Sequence, residues 1–329
     1  MISVAIQGKR EHSDSDAGKP LSFTKSQVVL FTSRKKFAFL YCLATVTGLF
    51  CLPGVTSALA SPDHDFLTIA WMTIPLPLAS LLVTVGTYIL NDLVDVELDR
   101  ANGKKRPIPS GAVSKEQALL FVLLSFGLAV ILTLITLRPI SIIVLSLMLV
   151  VGISYSAPRV ALMKRFVVKT GSIAGFYMLC TLLGMTSIYN FDLALNNPIL
   201  VTNVFLTLAL MVFISSTLND MGDIEGDRAA GRKTIPIALG IDNTLKLAMI
   251  MAACVITVTW VFWVAGLVAK LDGSLITAIL TTSIALIVMV TLRQMRKQLS
   301  NIEFVRKQHK KLFPFQMAIH PCLVIGVLL

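Results

Sequence analysis

The residues best equipped for chemistry lie in two short acidic segments. Asn91-Asp92-x-x-Asp95-x-Glu97-x-Asp99-Arg100-Ala101-x-Gly103-Lys104-Lys105 recurs as Asn219-Asp220-x-x-Asp223-x-Glu225-x-Asp227-Arg228-Ala229-x-Gly231-Arg232-Lys233, with every matched position offset by 128. Together they hold eight of the chain's 18 Asp and Glu residues. On a helix, spacings of three and four place Asp92, Asp95 and Asp99 on one face with Glu97 nearly opposite, and Asp220, Asp223 and Asp227 repeat that geometry. Stacked carboxylates repel by about a few tenths of a kcal/mol per exposed pair, and by more at a membrane boundary. A bound divalent cation removes that cost. Oxygen ligands without nearby His or Cys select a hard ion, and Mg²⁺ typically takes one or two carboxylates and completes its shell with water and phosphate. Cations follow both segments, Lys104, Lys105 and Arg106 after the first and Arg228, Arg232 and Lys233 after the second, so metal and cations together would grip a phosphorylated substrate. Lys164 and Arg165, after Tyr155, form a third basic group. A lone acidic segment reads equally well as a solvated loop helix that sets topology. Two copies in register, each ending an apolar stretch and each followed by cations, argue for a site.

The elements that hold these segments are built for lipid. The chain has 329 residues, 55% hydrophobic and 14% charged, with a formal net charge of +11. Soluble domains carry about 25% charged residues, so the apolar surplus points to a bilayer, whose core takes about 20 apolar residues per helix. Nine candidate spans run roughly over 37–60, 66–90, 116–137, 139–157, 167–189, 198–218, 244–269, 274–292 and 312–329, which predicts an all-α polytopic membrane protein. With the N-terminus inside, all but Arg138 and Lys270 of the 29 Lys and Arg fall on the cytoplasmic side, as the positive-inside rule demands. The net charge then marks topology, and nucleic acid is excluded as a partner. Each acidic segment follows an apolar span, the second and the sixth, so the repeating unit is about four helices. Two such halves packed face to face would bring both segments to one mouth.

Residues 1–36 read as a polar, disordered cytoplasmic tail without a cleavable signal, and 37–329 as one transmembrane domain. Arg34, Lys35, Lys36 and the cluster from Arg293 to Lys311 read as interfacial anchors, and Lys169 as a snorkelling residue. Cys42, Cys51, Cys180, Cys254 and Cys322 lack metal or redox spacing and read as packing residues, as does His320 beside Pro321.

At these residues the chain resembles the UbiA superfamily of intramembrane prenyltransferases. The resemblance rests on Asn91 to Asp99, on Arg106-Pro107-Ile108-Pro109-Ser110-Gly111, on Tyr155-Ser156-Ala157-Pro158 ending near Lys164-Arg165, and on the second acidic segment with Glu225-Gly226-Asp227-Arg228. Two of these strings look most like the branch holding chlorophyll synthases and digeranylgeranylglyceryl phosphate synthases. The resemblance implies nine helices in two related four-helix halves around a central cavity. It further implies Mg²⁺-dependent ionisation of an isoprenyl diphosphate. Asn91, Asp95, Asp223 and Asp227 would be the nearest metal ligands, with Asp92, Asp99, Asn219 and Asp220 in the same network. Lys105, Arg106, Tyr155, Lys164 and Arg228 would lie on the diphosphate side, and Asp95, Asp223, Lys164 and Tyr155 would carry the catalysis. The second segment is richer than the shorter motif common in the family, which leaves open which of its aspartates meets metal.

Prenyl transfer to a lipophilic or aromatic acceptor then requires a water-free wall for the allylic cation, for which Phe176, Tyr177, Trp260 and Trp263 offer π faces. Two other readings share parts of this pattern. A membrane terpene cyclase would use the same ionisation without an acceptor. A divalent-cation transporter would need ionisable residues in mid-membrane, whereas the acidic clusters here sit at span ends.

Overall fold

The structure, a computed structural model, describes residues 21–101, 103–187, 191–269 and 274–328. Among the described residues nine long helices make up the bundle: α1 (Phe23–Phe50), α2 (Pro75–Val94), α3 (Lys115–Leu134), α4 (Pro139–Ser156), α5 (Phe166–Met185), α6 (Pro198–Asp220), α7 (Ile235–Val268), α8 (Leu275–Lys297) and α9 (Ile302–Leu328). Among the described residues, seven helices are long and apolar enough to cross a membrane, namely α3 to α8 and the stretch Phe66–Val94 that ends in α2. The expected first span begins in α1 but runs past its end at Phe50 into the short helix Val55–Leu59, and the described part of the ninth lies in α9; α1 and α9 each carry charge at one end. Prolines open α2, α4, α6 and α7, where a missing N–H costs no helical bond. Gly240, at φ 76, breaks α7 after its first turn, a conformation that glycine adopts without steric cost.

The expected tail boundary moves. Residues 23–36 belong to α1 and are not part of a disordered tail. They are ordered because Leu30 is fully buried against Val85, Ile89, Ile108 and Ala118, and because Arg34 pairs with Asp92. Residues 1–20, which carry the rest of the expected tail, and Lys270 lie outside the described residues.

The halves α1–α4 and α5–α8 meet where α1 crosses α5. A Cβ built on Gly48 would lie 1.8 Å from the Thr181 carbonyl oxygen, and one on Gly184 would lie 1.8 Å from that of Thr45. Only glycine permits backbones to touch this closely, the usual device for helix packing in lipid. Beside this crossing His320 of α9 ties the three helices together, with Nδ1 2.7 Å from Thr47 Oγ1 and Nε2 2.6 Å from the Tyr177 hydroxyl. The five cysteines are free, and three of them are buried. His320 and the buried Cys51, Cys180 and Cys322 sit in the packed interior, as expected, whereas Cys42 and Cys254 are half-buried.

Candidate active site

Both acidic segments straddle a helix end. α2 stops at Val94 and a short helix runs from Val96 to Ala101. Asp95 N–H still donates to Asn91 O at 3.0 Å, and Asp99 N–H to Asp95 O at 2.8 Å. The four-residue spacing survives the break, so Asp92, Asp95 and Asp99 share one side and are all buried. In the second copy a tighter turn intervenes between α6 and the helix Ile224–Ala229, with Asp223 N–H donating to Asp220 O at 3.2 Å. Asp220 and Asp227 are buried like their counterparts, but this turn swings the Asp223 side chain out to 54% exposure.

A repeated turn then sends the chain back over each segment. Gly103 (φ 63) and Gly231 (φ 66) take left-handed conformations. Lys104 N–H reaches Asp99 O at 2.9 Å, and Arg232 N–H reaches Asp227 O at 2.8 Å. This is the six-to-one closure that ends helices at glycine, and it explains why glycine recurs at the 128-residue offset. It also aims Lys104 and Arg232, which are equivalent positions, into the space between the segments.

The two segments are cross-linked reciprocally there. Arg232 bonds its own Asp227 (Nη1 to Oδ1, 3.3 Å) and the first segment's Asp95 (Nη2 to Oδ1, 2.5 Å). Lys104 faces its own Asp99 (3.6 Å) and the second segment's Asp223 (3.5 Å). Burial disfavours the Arg232 charge, but the Asp95 carboxylate outweighs it and holds the guanidinium above its ordinary pKa. A second reciprocal pair comes from the first helix of each half. Arg34 of α1 grips both carboxylate oxygens of Asp92 through Nε and Nη2, and Lys169 of α5 binds Asp220 at 2.6 Å. Arg106 closes the first segment by donating to Asp92 at 2.8 Å and Asp99 at 2.5 Å.

These residues ring the mouth of a cavity of about 690 Å³. Asn91, Asp95, Asn219, Asp220, Asp223 and Asp227 line it, with the cations Arg34, Lys104, Arg106, Lys169 and Arg232 and with Tyr155. Its deeper wall is apolar, from Leu40, Met211, Val212, Val288 and Leu312. Tyr41, Tyr88, Phe176 and Tyr177 form an aromatic cluster beside it, with Tyr41 edge-on to Tyr177 at 4.9 Å and to Phe176 at 5.6 Å.

The structure brings some of the sequence-predicted site residues together and leaves others apart. The acidic residues converge as expected, with Asp92 and Asp99 one layer behind, bound to arginine. Lys105, Lys164 and Arg228 are exposed and lie outside the cavity wall. Arg34 and Lys169, expected as an interfacial anchor and a snorkelling residue, turn inward because each meets a buried carboxylate. Trp260 and Trp263 pack edge to face with ring centroids 5.4 Å apart, and Trp263 faces a small cavity at the opposite end of the bundle with Asn197 and Gly326.

The donor chemistry suits a hard divalent cation. Asp220 Oδ2 and Asp227 Oδ2 are buried without a hydrogen-bond partner, and the exposed Asp223 carboxylate lies 3.5 Å from Lys104 Nζ. Among the described residues no three His, Cys, Asp or Glu side chains are grouped closely enough to hold a metal ion by themselves, so a cation here would draw much of its shell from water and phosphate.

The UbiA prenyltransferase family matches residues 47–309. The chain belongs to this family. Among its relatives, the digeranylgeranylglyceryl phosphate synthase of Methanopyrus kandleri is 31% identical over 194 residues, 58% of this chain and 67% of that protein. That of Natronomonas pharaonis is 31% identical over 170 residues, 52% of this chain and 58% of that protein. The matches thus span about half to two thirds of these curated relatives. In three dimensions a UbiA homologue from Archaeoglobus fulgidus bound to GPP and Mg²⁺ superposes with a TM-score of 0.58 at 15% identity, covering 91% of this chain and 99% of that one. The apo UbiA homologue from Aeropyrum pernix superposes with a TM-score of 0.64 at 19% identity, covering 88% and 96%. At these identities the superpositions establish the shared fold: an all-helical bundle of the UbiA type.

Proposed function

We propose that this UbiA-family protein is a Mg²⁺-dependent intramembrane prenyltransferase. It ionises an isoprenyl diphosphate and passes the prenyl group to a lipophilic or aromatic acceptor, with its mouth and N-terminus on the cytoplasmic side. The observation that carries this reading is the reciprocal bridging of the two acidic segments over a cavity that is charged at its mouth and apolar below. Such a cavity suits a molecule with an anionic head and a hydrocarbon tail.

When bound, Mg²⁺ neutralises charge on the departing diphosphate. Its holders would be Asp220, Asp223 and Asp227, which offer free oxygens, with Asn219 beside them and Asn91 and Asp95 across the mouth. Lys104, Arg106, Lys169 and Arg232 supply positive charge already fixed in place, so stabilising the leaving group requires little reorganisation. The Tyr155 hydroxyl, on the cavity wall beside Asn91, donates to the same diphosphate. Asp92 and Asp99 orient Arg34 and Arg106. The allylic carbon–oxygen bond breaks with the electron pair going to the diphosphate. The apolar wall and the faces of Tyr41, Tyr88 and Phe176 then shield the carbocation from water until the acceptor attacks.

Labelled isoprenyl diphosphate with Mg²⁺ and purified protein tests this directly. Asp95→Asn and Asp223→Asn should each slow diphosphate release by about 100-fold or more, the scale of losing one electrostatic stabiliser. Release at the parent rate from both variants refutes the reading.

A further inference from the structure

A polar pair interrupts the apolar wall of the main cavity. Ser215 of α6 lies four residues before Asn219, about 6 Å below the second acidic segment at the helical rise. Its hydroxyl donates to Gln316 Oε1 of α9 at 2.8 Å. Gln316 is only 7% exposed, and both residues line the cavity. Met211, Val212, Leu312 and Phe313 make up the wall around them.

The pair does more than tie α9 to α6. A bond that only joined the two helices would be complete at the Gln316 oxygen, and amide donors left bare in an apolar wall are costly. Gln316 Nε2 has no hydrogen-bond partner among the described residues, so its two N–H groups are left for whatever fills the cavity. With the Ser215 proton on Oε1, Nε2 is the end of the amide that a ligand meets. The two halves of the bundle differ here. Ser215 is the equivalent of Thr87 at the 128-residue offset, and the Thr87 hydroxyl is buried without a partner. Only the second half sets an amide against this position, and it comes from α9, which belongs to neither four-helix half.

The donor has nothing to offer these N–H groups. Its diphosphate oxygens lie with the cations at the level of the acidic segments, a turn higher, and its hydrocarbon accepts no hydrogen bond. An oxygen at the depth of Gln316 therefore belongs to the second substrate. We propose that Gln316 binds the acceptor by donating an amide N–H to one of its oxygens, and that Ser215 is the positioning residue that holds the amide. The acceptor is accordingly a lipophilic molecule that carries a hydroxyl, ether or carbonyl oxygen. The proposal rests on the prenyl-transfer reading.

The test uses the full chain with Mg²⁺, labelled geranylgeranyl diphosphate and three probe acceptors: a long-chain alkylphenol, a long-chain alkylglycerol ether and the phosphate of that ether. Gln316→Met keeps the length of the side chain and removes the amide. For each probe that the parent prenylates, it should raise the acceptor KM at least about tenfold, the scale of one buried hydrogen bond, while the donor KM stays within about twofold. Ser215→Ala should raise the acceptor KM by a smaller factor, and Ser215→Thr, which keeps the hydroxyl, should return it to the parent value. General misfolding impairs the use of both substrates, so the split between the two KM values separates acceptor binding from damage. If Gln316→Met keeps the parent acceptor KM, Gln316 does not bind the acceptor and the proposal is wrong. If the parent releases diphosphate yet prenylates none of the three probes, the assigned acceptor class is wrong. If the parent releases no diphosphate with or without a probe, the prenyl-transfer reading itself fails.

Discussion

Lys169→Met is the sharpest perturbation of the mouth. Lys169 Nζ lies 2.6 Å from Asp220 Oδ1, and both side chains are only 9% exposed. At an effective dielectric near 20 the gross attraction is about 6 kcal/mol. Most of that offsets the desolvation of the two charges, so the pair itself adds little net stability. Removing one partner is different, because Asp220 then remains buried with an uncompensated charge, a loss of about 3–5 kcal/mol. Methionine keeps the length and apolar stem of lysine, so packing changes little. Asp220→Asn in the Lys169→Met background removes the stranded charge and should restore most of the loss. A double-mutant cycle, followed by reversible SDS unfolding of the purified protein, should give a coupling of at least about 2 kcal/mol. The reasoning fails if Lys169→Met unfolds with the parent protein, or if the coupling stays below about 0.5 kcal/mol.

Arg232→Lys should lower diphosphate release by about 100-fold, since a single ammonium cannot reach Asp95 and Asp227 with the fork of a guanidinium; steady-state rates against Arg232→Gln check whether charge alone suffices. Gly184→Leu should prevent correct assembly of α1 on α5, because its Cβ would fall 1.8 Å from the Thr45 carbonyl oxygen; a monodisperse, thermally unchanged variant on size exclusion would contradict that. Product analysis should find release of diphosphate coupled to prenylation of a second substrate. A cyclic hydrocarbon formed from the donor alone would support the cyclase reading instead.

Much of the fold and part of the site were legible because the two acidic segments repeat at a constant offset and their glycines repeat with them. The cations contributed by α1 and α5 were not. Arg34 precedes Asp92 by 58 residues, whereas Lys169 precedes Asp220 by 51. The link from α1 to α2 carries the helices Val55–Leu59 and Phe66–Thr73, while that from α5 to α6 carries Phe191–Asn196. Unequal connectors shift the register, so a search at one offset passes over an equivalent pair whose members also differ in type. The aromatic residues were half legible for another reason. Lipid is as apolar as a core, and residues such as Leu123, Ile143 and Val261 are exposed on the bundle's outside, so periodicity does not separate a cavity face from a lipid face. Phe176 and Trp260 therefore look alike until the helices are packed.

The pseudo-symmetry also predicts where the halves must differ. Lys104 and Arg232 occupy equivalent positions and make equivalent cross-links, yet Lys104 is 29% exposed at 3.5 to 3.6 Å from its carboxylates, and Arg232 is 12% exposed at 2.5 and 3.3 Å. A half-exposed, long ion pair is worth about 0–1 kcal/mol, whereas stripping a buried carboxylate of its cation costs about 3–5 kcal/mol. Lys104→Met should therefore leave unfolding nearly unchanged, and Arg232→Met should destabilise the mouth by several-fold more. The asymmetry follows from the turn that lifts Asp223 out of the bundle while Asp95 stays in it. One half of the mouth is locked by a buried guanidinium and the other is left open to solvent, which is where a hydrated metal ion and a diphosphate would enter.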